Sequence, residues 1–413
     1  MATQPLALSS PSQPRFAALP PLALYVHIPW CIRKCPYCDF NSHESRGALP
    51  ETQYVDALIA DLELALPSIW GRRAGSIFFG GGTPSLFTAE AIDRILAAIR
   101  ARVPVAPDAE VTLEANPGTF ERLKFAGFRT AGVNRLSLGV QSFNPQHLRA
   151  LGRVHDEREA RTAAAAALEI FDNVNLDLMY ALPGQTLDAA RADAAVALAF
   201  SPPHLSFYHL TVEPNTLFYR FPPALPDHDA SAAIEDAIEE TLVKAGYRHY
   251  ETSAYARAGS QCRHNLNYWQ YGDYLGIGAG AHSKLSFPQR IVRQVRHRQP
   301  QQYVEAVARG EPLAEQREVS RADLGFEFML NALRLDDGFA IAQFAERTGF
   351  ALAIVQRELD EAERRGLLER DHQRVRPTLL GRRFLNDLQA LFLPPEGPSV
   401  PGPGERMLLR AEP

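Results

Sequence analysis

Cysteine is scarce in this chain, with four residues among 413. Three of them, Cys31, Cys35 and Cys38, fall on one short stretch, and Cys262 lies far away. Disulfide-stabilised domains carry paired cysteines along a short chain, so a disulfide framework is excluded here. Free thiols persist in a reducing compartment, and we therefore expect a cytoplasmic protein.

Long apolar runs and a surplus of positive charge are lacking as well. No stretch approaches the roughly 20 apolar residues that a helix needs to cross a bilayer, so we expect no integral membrane segment. Lysine and arginine number 43 against 48 aspartate and glutamate residues, which gives a formal net charge of −5. This balance provides no general attraction for nucleic acid.

The usual phosphate-binding motifs are also missing. Neither G-x-G-x-x-G nor G-x4-G-K-[ST] occurs, although residues 80–82 form an uninterrupted glycine triplet. Such a triplet lets the backbone approach a ligand closely, because no Cβ intervenes. A tight turn between a strand and a helix is the alternative interpretation of the triplet.

The segment from about Ala23 to His282 alternates short apolar runs with amphipathic helical stretches. This alternation predicts a parallel sheet, curved or doubly wound, with right-handed crossovers. In a barrel of this kind, functional residues gather at the carboxyl ends of the strands. The predicted strands are Leu24–Ile28, Ser76–Phe79, Glu110–Glu114, Arg135–Val140, Val174–Tyr180 and His204–Leu210.

Polar or glycine-rich motifs coincide with the carboxyl ends of these predicted strands. Each residue alone is more often a structural polar group than a ligand, but the common placement favours one shared site. Acidic side chains there suit ribose hydroxyls or an ammonium group, and Arg153 suits a carboxylate. The motifs are Cys31–Cys38, Gly80–Pro84, Glu114–Pro117 and Gly139–Ser142, with Asp177 inside the fifth strand.

The cysteine triplet has the spacing C-x3-C-x2-C. This spacing suits a [4Fe–4S] cluster, because cysteine thiolates are the usual ligands of iron–sulfur clusters. Three cysteines hold three irons and leave the fourth iron open to a small molecule. A structural zinc site is the alternative, and it would need His43 or Cys262 as its fourth ligand.

In combination, these motifs resemble the radical S-adenosylmethionine (SAM) superfamily and, within it, the oxygen-independent coproporphyrinogen III oxidase group. The resemblance covers most of the chain. It implies an incomplete (β/α)6 barrel with a helical, winged-helix-like C-terminal domain, and SAM chelating the open iron through its amino and carboxylate groups. The motifs that carry it are Tyr25–Cys31, Gly80–Ser85, Glu114–Pro117, Leu138–Phe143, Leu151–Arg153 and Asp177–Gly184.

The resemblance also implies a set of cofactor-binding residues. Cys31, Cys35 and Cys38 would ligate the cluster, Tyr37 would lie beside it, and Thr211 is a weaker match to the SAM site. The stronger matches to the SAM site are Tyr25, Gly81, Gly82, Thr83, Glu114, Gln141, Arg153 and Asp177.

Two departures distinguish this chain from the true oxidases. They carry a further cysteine two residues after the third ligand, where this chain has Phe40. Residues 264–269 read His-Asn-Leu-Asn-Tyr-Trp, and His-Asn-x-x-Tyr-Trp is a signature of the HemW-like haem chaperones. The resemblance therefore implies a protein that binds haem and delivers it to haem-requiring partners such as respiratory enzymes. An oxygen-independent coproporphyrinogen III oxidase is the alternative.

Histidine is a sound axial ligand for haem iron, and His264 is the first candidate, with His282 the second. Tyr268 and Trp269 could flank a porphyrin face. The alternative is that His264 anchors a loop while the two aromatic rings fill core. The sequence is compatible with a homodimer.

The C-terminal region from Ser320 to Leu393 predicts a compact helical unit. Its 11 arginines and no lysines stand against 12 acidic residues, so a DNA-binding role is not favoured. We expect a lid or docking module, and a zinc-binding regulator is a third functional alternative. The predicted segments are a disordered arm (1–20), the barrel (21–285), a connecting segment (286–319), the winged-helix-like domain (320–393) and a disordered tail (394–413).

Overall fold

A computed structural model describes residues 13–118 and 121–394 of the chain. The strands within these ranges are β1 (Leu22–Ile28), β2 (Trp30–Cys31), β3 (His43–Glu44), β4 (Ala74–Gly81), β5 (Val105–Ala115), β6 (Arg135–Gln141), β7 (Asn173–Tyr180), β8 (His204–His209), β9 (Arg248–Glu251), β10 (Ala254–Ala256), β11 (Asp273–Ile277), β12 (His282–Phe287), β13 (Arg290–Arg296), β14 (Leu313–Glu318), β15 (Phe339–Ala340), β16 (Leu368–Arg370) and β17 (Arg374–Pro377).

The α-helices connect these strands and form most of the C-terminal region. They are α1 (Glu51–Ala65), α2 (Ala89–Arg102), α3 (Glu121–Ala131), α4 (Pro145–Ala150), α5 (Glu157–Ile170), α6 (Leu187–Ala199), α7 (Leu217–Arg220), α8 (His228–Lys244), α9 (Arg263–Trp269), α10 (Pro300–Ala308), α11 (Arg321–Ala332), α12 (Ile341–Thr348), α13 (Gln356–Arg364), α14 (Leu379–Arg383) and α15 (Leu385–Ala390).

Six parallel strands, β1, β4, β5, β6, β7 and β8, lie side by side in chain order. Strand β11 continues the sheet beyond β1, strands β10 and β9 continue it beyond β8, and the sheet does not close. The predicted incomplete (β/α)6 barrel is therefore confirmed. Each of the six predicted strands overlaps one of the six parallel strands.

Local sequence signals explain where the outer helices begin. At the start of α2, the Thr88 hydroxyl accepts a hydrogen bond from the Ala91 N–H at 3.2 Å. At the start of α5, Asp156 and Glu159 form a capping box, in which each side chain accepts the backbone N–H of the other. Buried alanines along α5 then allow the helix to lie close to the sheet.

The two faces of each barrel strand differ in chemistry. In β4, Ile77 and Phe79 belong to the hydrophobic core, whereas Ser76 and Phe78 face inward and contact His264. This alternation follows from the two-residue period of a strand. The inward-facing side chains are therefore the ones that a ligand in the barrel would meet.

Residues 286–319 differ from the predicted connecting segment. Strands β13 and β14 extend the large sheet beyond β12 by antiparallel pairing, and α10 packs against α1. The charged sequence of β13 did not indicate a buried strand. Arg296 is buried there because it pairs at 3.2 Å with Asp61, a residue far away in the chain. The barrel sheet therefore ends at Glu318.

The C-terminal region contains α11 to α15 and a three-stranded sheet in the order β15-β17-β16. Antiparallel pairing of β16 with β17 forms the predicted wing. Tyr271 and Ile291 of the barrel join the hydrophobic cluster of this region. Glu327 of α11 accepts a hydrogen bond from the Tyr271 hydroxyl at 2.8 Å and pairs with Arg293 at 2.9 Å. The winged-helix-like unit is therefore packed directly on the barrel.

Part of the predicted disordered arm has a defined position. The Arg15 N–H donates to the Gly349 carbonyl at 3.0 Å, and Phe16 packs on the C-terminal hydrophobic cluster. These contacts differ from the predicted disorder of the arm, because the Phe16 side chain packs on apolar surface of the C-terminal region. Residues 1–12 and 395–413, which hold the rest of the arm and nearly all of the tail, lie outside the described residues. None of the described helices is both long and apolar enough to cross a membrane.

Candidate functional site

The three clustered cysteines lie on the loop that follows β1, and all are half-buried free thiols. Each sulfur has a polar side chain close to it. Thr83 Oγ1 lies 3.5 Å from the Cys31 sulfur, Arg153 Nη1 donates to the Cys35 sulfur at 3.4 Å, and the Ser42 hydroxyl lies 3.6 Å from the Cys38 sulfur. Donors around sulfur favour the thiolate form, which is the form that binds iron.

Burial acts against that ionisation as long as the thiols bind nothing. It raises the pKa of Cys31 and Cys38, and the hydrogen bonds from Thr83 and Ser42 only partly offset the rise. In residues 13–118 and 121–394, no three His, Cys, Asp or Glu side chains are placed to hold one metal ion. A [4Fe–4S] cluster makes a different demand, because each thiolate binds its own iron.

The glycine triplet packs closely against the strand that leads into the cysteine loop. A Cβ on Gly81 would lie 2.5 Å from the His27 ring, and one on Gly82 would lie 2.5 Å from the Trp30 carbonyl oxygen. Gly81 also has a φ of +116°, which other residues rarely adopt. The triplet therefore places Thr83 next to Cys31. Its glycines are required by the close packing alone, independently of any ligand.

Asn116 joins two of the predicted site residues and was missed as a site residue. Its Nδ2 donates to Thr83 Oγ1 at 2.8 Å, and its Oδ1 accepts a hydrogen bond from Arg153. Arg153 also donates to the Gly139 carbonyl at 2.9 Å. A continuous polar network thus runs from Cys31 to Cys35 across the end of the barrel. The position of Asn116 two residues after Glu114 was the available signal.

Glu114 and Asp177 form an acidic pair inside the same end of the barrel. Burial, and secondarily the negative charge of Asp177, raises the pKa of Glu114 to about 8. Burial also raises the pKa of Asp177, opposed by a hydrogen bond from Ser137 at 2.8 Å. Two destabilised carboxylates favour a cationic ligand. SAM fits this requirement, because it carries an ammonium and a sulfonium group.

The remaining predicted residues are placed less uniformly. The Tyr25 hydroxyl lies 3.0 Å from His27 Nδ1, and Gln141 has a φ of 67° next to Gly139. The Tyr37 ring lies 6.3 Å from the Phe218 ring, so it anchors the cysteine loop to α7. Thr211 is exposed and makes no hydrogen bond within the described part of the chain. The structure thus links the other predicted SAM residues by contacts at the carboxyl end of the barrel, and Thr211 follows β8 at the same end.

His264 lies inside the barrel on α9. Its Nδ1 is 3.0 Å from the Ser76 hydroxyl, its ring stacks on Phe78 at 4.8 Å, and 2% of the residue is exposed. Its Nε2 is buried and has no hydrogen-bond partner among the described residues. Burial, and then the charge of Arg135, lowers the pKa of His264 to about 3. The ring is therefore a neutral imidazole at physiological pH.

Other residues of the segment 264–269 have structural contacts. Asn267 Nδ2 donates to the Asp273 carbonyl at 2.9 Å. The Tyr268 ring lies 4.3 Å from the Tyr274 ring, and the Arg334 guanidinium lies 4.3 Å above the Trp269 ring. Neither aromatic residue is arranged as an isolated porphyrin-stacking surface. They connect α9 to β11 and to the C-terminal region.

His282 lies at the opposite end of the barrel from α9. It begins β12 directly after the loop 278–281, and the residue is exposed at the surface, although burial of part of its ring lowers its pKa to about 4. Strand β11 runs parallel to β1, so the loop after β11 emerges beside the cysteine loop that follows β1. The structure therefore separates the two candidate haem ligands and places His282 next to the cluster residues.

Comparisons with known proteins agree with this geometry. Residues 25–195 match the radical SAM superfamily, and residues 319–384 match the HemN C-terminal domain. The chain is 48% identical over 377 residues to "Heme chaperone HemW" of Escherichia coli K12, covering 91% of this chain and 99% of that protein. The Bacillus subtilis protein of the same name is 33% identical, with 89% and 98% covered.

This chain belongs to the HemW family of radical SAM proteins.

The solved structure of coproporphyrinogen III oxidase (HemN) from Escherichia coli shares the fold of this HemW-family chain. The TM-score is 0.77 at 24% identity, with 91% of this chain and 90% of that chain covered. Membership of the radical SAM superfamily brings a [4Fe–4S] cluster and SAM as cofactors. In this chain the three thiols with their neighbouring donors fit the cluster, and the acidic pair fits SAM.

Proposed function

We propose that this protein is a haem chaperone, which binds haem beside a [4Fe–4S] cluster with SAM and delivers haem to haem-requiring proteins such as respiratory enzymes. The observation that carries the proposal is the near full-length similarity to proteins named heme chaperone. Phe40, which is 44% exposed, stands where the oxidases carry their additional cysteine. Free thiols at the site favour a cytoplasmic location.

Cys31, Cys35 and Cys38 would hold the cluster, SAM would chelate the fourth iron, and the reduced cluster would supply one-electron chemistry. Thr83, Ser42 and Arg153 would donate hydrogen bonds to the sulfurs and so stabilise their negative charge.

The side chains around SAM would orient it without taking part in bond cleavage. Glu114 and Asp177 would face its positive groups, and Arg153 would face its carboxylate. Deprotonation of Glu114 would accompany binding of the cation.

We propose His282 as the axial ligand of haem iron. Its exposed position beside the cysteine loop is open to a macrocycle and to a receiving protein. Neighbouring Arg298 is also exposed and forms no ion pair within the described residues, so it is free to pair with a propionate.

One observation favours His264 as the second candidate. Its Nε2 is unpartnered while Nδ1 is oriented by Ser76, an arrangement typical of metal-binding histidines. Haem would then have to enter the barrel lumen, because 2% of His264 is exposed.

Haem titration followed by Soret absorbance tests both assignments. His282→Ala is expected to weaken haem binding at least about tenfold, as loss of one coordination bond should. His264→Ala and the control His228→Ala, an exposed histidine on α8, are expected to bind haem as the wild type does. Loss of binding in His264→Ala alone would move the ligand into the lumen. Absence of haem binding by the wild type would contradict the proposed function.

A further inference from the structure

His27 connects the SAM site to the backbone of the cysteine loop. Its Nε2 lies 2.9 Å from the Asn41 carbonyl oxygen, and its Nδ1 lies 3.0 Å from the Tyr25 hydroxyl. A carbonyl oxygen only accepts hydrogen bonds, so Nε2 carries the ring proton and Nδ1 accepts from Tyr25. This tautomer fixes the Tyr25 hydroxyl proton toward His27. The imidazole therefore links the Tyr25 hydroxyl to the backbone of Asn41 through two hydrogen bonds.

The Asn41 side chain extends this connection to the loop that carries His282. Its Nδ2 donates to the Ala279 carbonyl at 2.9 Å and to the Arg298 carbonyl at 3.0 Å. A Cβ on Gly280 would lie 2.3 Å from the same nitrogen. The amide thus sits directly against the loop 278–281, with no space for a side chain on Gly280. Asn41 lies three residues after Cys38, so its side chain ties the cysteine loop to the His282 loop.

Tyr54 provides a second contact between the same two segments. Its hydroxyl donates to the His27 carbonyl at 2.9 Å and accepts the Ala279 N–H at 2.8 Å. The side chain is fully buried. The backbone of His27 and the loop 278–281 therefore share a buried support in Tyr54, and Asn41 is a separate contact between the cysteine loop and the same loop.

We propose that His27 and Asn41 are positioning residues that couple the cluster and SAM site to haem binding at His282, so that SAM increases the affinity for haem. The inference rests on the proposed function. Bound SAM would order Tyr25 and the cysteine loop, Asn41 would then hold the His282 loop in place, and haem would have less of the chain to order. Linkage requires haem to raise the affinity for SAM by the same factor.

Haem titration of the cluster-loaded protein, with and without saturating SAM, measures this coupling. In the wild type, SAM is expected to lower the Kd for haem about tenfold. Asn41→Ala removes both Nδ2 hydrogen bonds, and its Kd for haem should become independent of SAM while iron content and binding of each ligand persist. His27→Ala should also lose the SAM effect. His27→Gln keeps a donor and an acceptor and should restore most of it.

Asn134→Ala is the matched control. Asn134 also binds backbone groups through its side chain, the Val111 N–H and the Ala109 carbonyl, each at 2.8 Å, but it lies at the amino-terminal end of the barrel. This variant is expected to keep the full SAM effect. A full SAM effect in Asn41→Ala, or an equal loss in Asn134→Ala, would overturn the inference. Independent binding of haem and SAM by the wild type would overturn the inference alone, whereas no haem binding would overturn the proposed function as well.

Discussion

The two ends of the barrel use polar side chains in opposite ways. At the amino-terminal end, His204 bonds Asn175 at 2.7 Å and Tyr250 at 2.8 Å, and Glu110 accepts the N–H groups of Arg263 and His264 at 3.1 and 3.0 Å. These groups satisfy one another. At the carboxyl end, few hydrogen-bond donors surround the three thiols. The carboxyl groups of Glu114 and Asp177 lie close together, and the pKa of each is raised.

The difference indicates which end is built for stability and which for a ligand. A buried polar group that is fully hydrogen-bonded supports the fold, whereas one that lacks partners keeps capacity for a ligand. The same division is general in barrels, where the carboxyl ends of the strands carry function. Exceptions at the amino-terminal end include His264 Nε2, Arg135 Nε and Asn173 Oδ1, which have no hydrogen-bond partner among the described residues.

Removing one thiol should have the largest effect. Cys31→Ala is expected to abolish nearly all cluster iron and its visible absorbance, because the cluster loses one of three protein ligands. Cys262→Ala is the matched control, since this buried thiol lies 3.5 Å from Glu110 at the other end. Iron analysis after anaerobic reconstitution measures both. A full cluster in Cys31→Ala would reject the ligand assignment.

Breaking the amino-terminal network should cost stability and leave the cluster intact. Glu110→Ala is expected to lower the free energy of unfolding by about 3 kcal/mol, because Arg135 loses its nearest counter-charge and two N–H groups lose their acceptor. Asp108→Ala, which removes an exposed ion pair with Arg263, should cost about 0.5 kcal/mol. Denaturant unfolding measures both, and equal losses would contradict the contrast between buried and exposed charge.

Glu114 should leave a signature in the pH dependence of the ligand-free protein. Its folded-state pKa of about 8 exceeds its ordinary value of 4.5. Its contribution to stability is therefore complete below pH 4.5 and is lost as pH rises through 8. Glu114→Gln should reduce the decline of Tm between pH 4.5 and pH 8. An unchanged decline would show that the raised pKa does not belong to Glu114. Affinity for SAM should rise over the same window, because a cation favours the carboxylate.

The smallest expected change concerns Thr112. Its hydroxyl is buried at the centre of β5 and has no hydrogen-bond partner among the described residues. Thr112→Val keeps the shape and removes the unsatisfied group, so stability should stay unchanged or rise by about 1 kcal/mol. Thermal unfolding measures the shift. Destabilisation by more than about 1 kcal/mol would mean that the hydroxyl has a partner, such as a water molecule.

The sequence predicted the barrel better than the contacts that complete its site. Apolar runs define strands locally, so all six predicted strands were found. Strand β13 was missed because its burial depends on the distant pair of Arg296 and Asp61. The contacts of Asn41 with Ala279 and Arg298 likewise join positions more than 230 residues apart, and no local pattern reports them.

Motif spacing located the cluster and SAM residues because each motif ends a strand at the same edge of the sheet. It did not identify Asn116, whose role arises only where β5 meets Thr83 and Arg153. The sequence also offered two candidate haem ligands, and the structure puts His264 in the lumen and His282 beside the cysteine loop. His264 and His282, which are close in sequence, thus lie at opposite ends of the barrel.

An anaerobic turnover assay tests the proposed function most directly. Cluster-loaded protein that has been shown to bind haem is incubated with SAM, a reductant and coproporphyrinogen III, and the porphyrins are then separated. A haem chaperone is expected to leave coproporphyrinogen III unchanged. Sustained formation of protoporphyrinogen would contradict the proposal and make the protein an oxidase despite Phe40.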